Sequence, residues 1–181
     1  MSSEPESDEL APDHTWKAAP GCKIFVIDRG AVRFEFPQDW VVRPDPDSVK
    51  LHDREPPADE CTIAVSYHRL PPLAVEGLPV AAMVQAAVGG DERGTVWDEM
   101  VEARHLDITI AWREGTFRDQ RSGAPAKTRL CLARRGTLQA LLTMEFWEAD
   151  RVRVTPVWDL VLDSLQLDEP IADPLRGPTT Q

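Results

Sequence analysis

The sequence predicts a single α+β domain with a largely antiparallel β-sheet. β-rich runs recur at hairpin spacing, and only two segments have a helical pattern. Strands and helices do not alternate one by one, as they do in parallel α/β folds. Because 181 residues suit one domain with terminal extensions, we expect a single hydrophobic core.

Strands joined by tight turns account for most of the predicted domain. Asp28-Arg29-Gly30 joins the first two strands, and its glycine supplies the positive φ that a tight hairpin requires. Arg135-Gly136 joins the last two strands, and five strands precede the first helix. The predicted strands are residues 22–28, 31–36, 40–42, 48–52, 61–68, 106–112, 116–119, 127–134 and 137–147.

Two helices are predicted. The first spans residues 79–88, with proline at an early position and a glycine pair after its end. It is apolar nearly all round, so we expect it to be well buried. The second spans residues 155–165, where Thr155 can cap the helix and Pro156 fits its first turn.

Alternating apolar residues predict that one face of the sheet is the core face. The helices should pack against this face, because it carries most of the large apolar side chains. Residues assigned to it include Ile63, Val65, Ile108, Ile110, Trp112, Leu130, Leu132, Leu142 and Met144.

The opposite face carries small side chains of mixed polarity, so it is neither a charged solvent face nor a second apolar core. Two alternatives remain open: the N-terminal segment or a loop covers this face, or the face is a shallow surface for a partner. Two tryptophans flanked by acidic residues are candidate surface anchors. The predicted partner-binding residues are Ala64, Ser66, His68, Thr109, Ala111, Arg129, Cys131, Thr143, Trp147 and Trp97.

Composition divides the chain into a domain and two tails. Residues 1–20 are acidic and rich in serine and proline, which predicts a flexible tail. Residues 21–167 form the predicted domain, and residues 168–181 form a second flexible tail that proline and glycine interrupt. The start lacks the basic and apolar regions of a secretory signal, which favours a cytoplasmic location. The three widely spaced cysteines suit reduced, largely buried thiols.

The charge balance narrows the class of partner. The chain has 20 Lys and Arg against 31 Asp and Glu, a formal net charge of −11. This acidic balance argues against a nucleic-acid binder and against a polybasic membrane-surface protein. We therefore expect the partner to be another protein, with a homodimer as a further expectation.

Signatures of metal, cofactor or catalytic sites are not evident in the sequence. The histidines lie apart from one another without metal-ligand spacing, and the glycine-rich segments lack the pattern of a phosphate loop. We therefore expect no metal, no cofactor and no enzymatic activity. One catalytic alternative is a hydrolase site in which Ser66, His68 and Asp107 share a sheet face, which requires their strands to be neighbours.

Two short motifs resemble those of the PsbP/Mog/DcrB-like group. Phe34, Pro37 and Trp40 match its opening F-x-x-P-x-x-W pattern. The segment Ser164-Leu165-Gln166-Leu167 is similar to its closing SL-x-L pattern. The resemblance covers about residues 25–167, and it implies an α/β/α sandwich around a central, largely antiparallel sheet.

The resemblance also implies a non-enzymatic binding or assembly role. Members of the group include an extrinsic photosystem subunit, a factor that binds the small GTPase Ran, and chaperone-like proteins that load effectors for type VI secretion. We therefore expect a non-catalytic cytoplasmic binding or adaptor protein. The alternatives are a chaperone for a secreted effector, which needs a concave apolar face, and the hydrolase described above.

Overall fold

A computed structural model describes residues 10–178, apart from the side chains of residues 73, 74 and 76. The outermost parts of the two predicted tails, residues 1–9 and 179–181, lie outside the described residues. The described chain forms, in order, β1 (Cys22–Ile27), β2 (Val32–Pro37), β3 (Val41–Asp45), β4 (Ser48–His52), β5 (Cys61–Arg69), α1 (Pro72–Gly77), α2 (Val80–Gly89), β6 (Val96–Trp97), β7 (Val101–His105), β8 (Ile108–Arg118), β9 (Pro125–Arg135), β10 (Leu138–Trp147), α3 (Arg151–Asp163) and β11 (Gln166–Leu167).

The strands form two sheets. The larger sheet has the order β3-β4-β5-β10-β9-β8-β6, and β7 pairs with β8 as well. The smaller sheet has the order β1-β2-β11. The strand pairs of both sheets are antiparallel. This arrangement confirms the predicted α+β class with an antiparallel sheet.

Strand register defines two faces of the larger sheet, because directly paired residues of antiparallel strands point to the same side. Leu142 pairs with Val65 on one neighbouring strand and with Cys131 on the other, so these three residues share a face. We call this the inner face. Alternate residues of the same strands, such as Thr143, form the opposite, outer face.

The main hydrophobic core lies between the inner face and a layer formed by α3 and the smaller sheet. From α3 come Val154, Trp158 and Val161, which are fully buried at helical spacing. From the smaller sheet comes Phe34, which stacks on Phe25 with ring centroids 4.7 Å apart. The core face that the sequence predicts is thus largely the inner face.

The two motifs that carry the family resemblance meet in the smaller sheet. β11, from the closing motif, pairs with β2, from the opening motif, through Gln166 opposite Arg33. Phe34 and Trp40 of the opening motif are buried in the main core. The motifs therefore build the core and its flanking sheet.

α2 packs on the outer face above β8 and β9. Its buried stripe, Val80, Val84 and Val88, forms a second cluster with Ala111 and Leu132. The three residues after Val84 are solvent exposed. The prediction that this helix is well buried holds for one side alone, because only the stripe spaced four residues apart reaches the sheet.

Several boundaries differ from the sequence prediction. β8 is one strand over Ile108–Arg118, where the sequence predicts two. The short elements α1, β6 and β7 were not predicted, since none has enough residues to establish a period. α3 begins at Arg151, and the Thr155 hydroxyl donates to the Arg151 carbonyl at 2.8 Å instead of capping the helix. None of the helices in residues 10–178 has the length and apolar content needed to cross a membrane.

Residues 168–171 continue the packed region past the predicted domain end. Ile171 is 3% exposed, and its N–H donates to the Arg29 carbonyl at 2.9 Å. The described parts of the two predicted tails also contact each other, since Trp16 Nε1 donates to the Pro174 carbonyl at 2.8 Å. The mobility of both tails stays a prediction.

Candidate functional site

The structure places most of the predicted partner-binding residues on one face and contradicts two of them. Arg129 and Cys131 lie on the inner face, where they are 2% and 0% exposed. The assignment of β9 is wrong because its Leu130 and Leu132 lie on the α2 side of the sheet, not in the main core. The predicted residues that do lie on the outer face are Ala64, Ser66, His68, Thr109, Ala111, Thr143, Trp147 and Trp97.

Two of the predicted residues on the outer face are part of the packing around α2. Ala111 is 1% exposed beneath the helix. Trp97 is partly buried against the same cluster, and its ring lies across Gly115, where an added Cβ would come within 2.8 Å of the indole. Gly115 thus permits the close approach of this ring. Ala111 therefore offers no free surface to a partner, whereas Trp97 remains partly exposed.

The rest of the outer face is open. α2 packs over β8 and β9, whereas most outer-face side chains of β4, β5 and β10 are at least partly exposed to solvent, with Gln139 and His52 as buried exceptions. The cover is α2, whereas the sequence predicts the N-terminal segment or a loop as the cover and both helices on the core face. The use of the accessible part as a partner surface stays a prediction. We call the accessible part the open half-face, which consists of Lys50, Thr62, Ala64, Ser66, His68 and Thr143.

An acidic cleft of about 220 Å³ lies at one end of the open half-face. Its walls come from the loop before β5, the end of β8 with the loop that follows it, and the end of β10. Trp147, predicted as a surface anchor, lines this cleft. The lining residues that carry a negative charge or an aromatic ring are Asp59, Glu60, Asp119, Glu145, Phe117, Phe146 and Trp147.

Hydrogen bonds hold two of these carboxylates in their ionised form. Asp59 Oδ2 accepts from the Thr62 hydroxyl at 2.9 Å and lies 2.9 Å from His52 Nδ1. Burial alone would raise the pKa of Asp59, but the hydrogen bonds from His52 and Thr62 outweigh it and lower that pKa. The backbone N–H and hydroxyl of Ser122 lower the pKa of Asp119 in the same way. Asp59 and Asp119 are therefore ionised at neutral pH, whereas Glu60 pairs with Arg54 at 2.7 Å.

The chain places one of its own guanidinium groups beside this cleft. Arg93 lies over the Phe117 ring, 4.3 Å from its centroid, and its Nη1 donates to Glu145 at 2.6 Å. Asp91 binds the other side of the same guanidinium, and this contact lowers the pKa of Asp91 to about 2. The wall of the cleft thus already pairs a cation with an aromatic ring and a carboxylate.

Sequence reasoning missed this cleft because its carboxylates come from separate parts of the chain. Asp59 and Glu60 precede β5, Asp119 follows β8, and Glu145 lies in β10. The adjacent pair Asp59-Glu60 in a polar loop was the one local signal. The pairing of β10 with β5 and β9, and of β9 with β8, brings these groups together.

The structure does not bring the hydrolase residues together. Ser66 and His68 lie on β5, and Asp107 immediately precedes β8, with β10 and β9 between these strands. Three strand spacings separate them by roughly 14 Å. Asp107 instead accepts from Arg135 Nε at 2.5 Å. Within residues 10–178, no three His, Cys, Asp or Glu side chains are grouped in a way that could hold a metal ion.

Two of the cysteines are buried, as the sequence predicts. Cys61 and Cys131 are 1% and 0% exposed, and burial raises the pKa of both thiols. Cys22 is partly exposed. The two buried thiols are therefore protonated at neutral pH and are poor nucleophiles.

The comparison with known proteins assigns a family. The sequence matches the Alr1449 family over residues 23–171. The chain belongs to this family. A relative, the uncharacterized protein alr1449 of Nostoc sp. (strain PCC 7120 / SAG 25.82 / UTEX 2576), is 38% identical over 174 residues, which cover 95% of this chain and 91% of the Nostoc protein.

Solved structures with the same fold confirm the resemblance that the motifs indicate. The cyanobacterial PsbP (CyanoP) from Synechocystis sp. PCC 6803 matches with a TM-score of 0.57 at 12% identity, covering 83% of this chain and 94% of that chain. A crystal structure from Bacteroides thetaiotaomicron VPI-5482 matches with a TM-score of 0.58 at 11% identity. The match covers 81% of this chain and about half, 48%, of the Bacteroides chain. At these identities the likeness concerns the fold, which is PsbP-like.

Proposed function

We propose that this protein is a non-catalytic binding module that docks a basic segment of another protein on the open half-face. The observation that carries the proposal is the acidic cleft at the end of that half-face. Four carboxylates and three aromatic residues line it. Carboxylates and aromatic faces both attract Lys and Arg side chains, so a basic residue of the partner would enter the cleft.

The chemistry of the open half-face suits an extended or flat protein surface. Ala64, Ser66 and Thr143 are small, so a partner can approach the sheet closely. The net charge of −11 would steer a basic partner to this protein during encounter. A secretion chaperone for an apolar effector segment needs a concave apolar surface instead, and we treat that function as an outcome of the test.

The proposal includes the layer arrangement that the motifs imply and the location that the N-terminal composition favours. We infer an α/β/α sandwich, because α2 and α3 pack against residues of opposite sheet faces. The free thiols of Cys61 and Cys131 suit the reducing cytoplasm, which we propose as the location. A homodimer remains the alternative occupant of the open half-face.

The test measures binding of a fluorescent peptide of alternating Lys and Ala by anisotropy, with a Glu and Ala peptide as the control ligand. Thr143→Arg places a positive, bulky side chain on the open half-face. Thr109→Arg makes the same change of charge and size at an exposed outer-face position outside the open half-face. We expect Thr143→Arg to weaken binding by about tenfold and Thr109→Arg by about twofold or less.

Trp147→Ala should also weaken binding, since it removes an aromatic wall of the acidic cleft. Equal effects of the two arginine variants would overturn the proposal, because they would show that the net charge of the protein alone explains the binding. Tighter binding of an apolar helical peptide than of the Lys peptide would support the chaperone instead. Self-association that Thr143→Arg abolishes, measured by sedimentation velocity without peptide, would identify the homodimer as the occupant.

A further inference from the structure

A second cleft, of about 650 Å³, lies on the opposite side of the larger sheet from the open half-face. It lies between β8, β9 and the first turns of α3, beside the edge strand β7. Its volume is in the range of small-molecule sites, roughly 300–1,000 Å³. We call it the arginine cleft, because Arg129 lines it from the core side.

Arg129 has one unused donor group at this cleft. Its Nε donates to Glu114 Oε2 at 2.7 Å, and its Nη2 donates to the Thr155 hydroxyl at 2.9 Å. Its Nη1 is buried and has no hydrogen-bond partner among the described residues. Buried polar groups are usually paired, so an unpaired guanidinium nitrogen beside a cleft indicates a missing acceptor.

The charges around Arg129 are unbalanced. Glu114 is the one carboxylate in contact with three cations: Arg129, Lys127 Nζ at 3.3 Å and Arg151 Nε at 3.0 Å. Burial would raise the pKa of Glu114, but Arg129 and Lys127 outweigh that effect and lower it, so the carboxyl is ionised. This group therefore has two more cations than carboxylates, and Asp98 and Glu99 supply two negative charges at the solvent-exposed part of the cleft lining.

Aromatic rings fix the position of the Arg129 guanidinium. Its central carbon lies 5.6 Å from the Trp112 ring centroid, 5.2 Å from that of Phe146 and 5.7 Å from that of Trp158. A guanidinium held in this way loses little conformational freedom when it binds an anion. Trp112 also lines the cleft, so an apolar wall lies next to the positive charge.

We propose that the arginine cleft binds a carboxylate that is attached to an apolar group. The carboxylate would accept from Arg129 Nη1 and pair with Arg151, and the apolar group would lie against Trp112 and the exposed Val101 and Val152. Guanidinium and carboxylate groups form strong charge-assisted hydrogen bonds. Asp98 and Glu99 at the mouth repel ligands with several negative charges, which favours a monoanion.

Two sources supply this chemistry: a free small acid, and the C-terminal carboxylate of a peptide that ends in an apolar residue. The test titrates the full chain with 3-phenylpropionate and with a short peptide ending in Phe. Each ligand has its neutral amide as a matched control. Whichever of the two acids binds more tightly identifies the source of the carboxylate. A change in the Trp112 indole NMR signal shows that binding occurs at this cleft.

Arg151→Met is the first variant, because the Arg151 side chain is 56% exposed and its removal should preserve folding. We expect this variant to weaken binding of the preferred acid by about tenfold, and the amide to bind wild type at least about tenfold more weakly than the acid. Arg104→Met removes an exposed cation from β7 outside the cleft lining and should leave affinity unchanged. Arg129→Lys should abolish binding if the variant folds.

Equal binding of acid and amide would overturn the proposal, as would an Arg151→Met affinity equal to that of wild type. Absence of binding for both acids at millimolar concentration would also overturn it, and would mean that the aromatic rings alone satisfy Arg129. Thr143→Arg, which tests the open half-face, should not change this affinity. The proposal can therefore fail or hold independently of the proposed protein-binding function.

Discussion

At the scale of the residue, Gly30 combines a local requirement with a distant one. Its φ of +99° follows two other residues with positive φ, Asp28 and Arg29, so the hairpin turn itself favours glycine. The C-terminal segment also crosses this point, and a Cβ on Gly30 would lie 1.9 Å from the carbonyl oxygen of Glu169. The sequence predicts the first requirement, and only the structure contains the second.

The prediction for this residue compares two glycines with positive φ. Gly21 has a φ of +78° and no atom within 4 Å of an added Cβ. Gly21→Ala should therefore cost only backbone strain, about 1–3 kcal/mol of unfolding free energy. Gly30→Ala should cost at least about 2 kcal/mol more, because the clash displaces the segment around Glu169. Urea denaturation measures both, and equal losses would contradict the crossing of the C-terminal segment over Gly30.

At the scale of the element, α2 illustrates how a helix with apolar residues on every side buries one stripe. Val80, Val84 and Val88 face β8 and β9, and the small side chain of Ala111 allows the helix to approach the sheet. Alanines fill most of the exposed side, where they cost little in water and favour the helix. Apolar composition alone therefore did not identify the buried side.

The prediction for α2 places the same charge on its two sides. Val84→Asp introduces a carboxylate at a position that is 0% exposed, and it should lower the unfolding free energy by more than about 3 kcal/mol. Ala86→Asp introduces it on the exposed side of the same helix and should change stability by about 0.5 kcal/mol or less. Chemical denaturation followed by circular dichroism measures the difference. Similar losses in the two variants would mean that α2 does not pack by this stripe.

At the scale of the whole molecule, the smaller sheet ties the two ends of the domain together. β1 and β2 come from the beginning of the domain, and β11 comes from its end. Residues 168–171 extend this connection, since the Glu169 N–H donates to the Gly30 carbonyl at 3.0 Å and Ile171 is buried. The packed region therefore ends later than the residue 167 that the sequence predicts.

The prediction for the whole molecule compares two truncated chains. The chain of residues 21–171 should unfold cooperatively. Its free energy of unfolding should lie within about 2 kcal/mol of that of the full chain, because the removed contacts are mainly exposed hydrogen bonds. Residues 21–167 should be less stable than 21–171 by about 2 kcal/mol or more, since they lack the burial of Ile171 and its neighbouring backbone bonds. Thermal and urea denaturation measure both. Equal stability would place the boundary at residue 167.

Local patterns determined much of this fold. The hairpin at Asp28-Arg29-Gly30, the paired final strands and the helix after Pro79 all follow from turn residues and hydrophobic periods over a few neighbouring positions. The motif residues Phe34 and Trp40 indicated the PsbP-like fold for the same reason, because their spacing is local. These features need no knowledge of what packs against them.

Tertiary structure alone decided which side of β9 faces the core and what the site contains. Leu130 and Leu132 are more apolar than Arg129 and Cys131, yet they lie on the outer side and Arg129 and Cys131 lie in the core. Alternation identifies a buried face only when the other face contacts water, and α2 removes that contrast over β8 and β9. The acidic cleft and the arginine cleft could not be predicted from the sequence for a related reason. Each is assembled from distant segments that only the tertiary structure brings together.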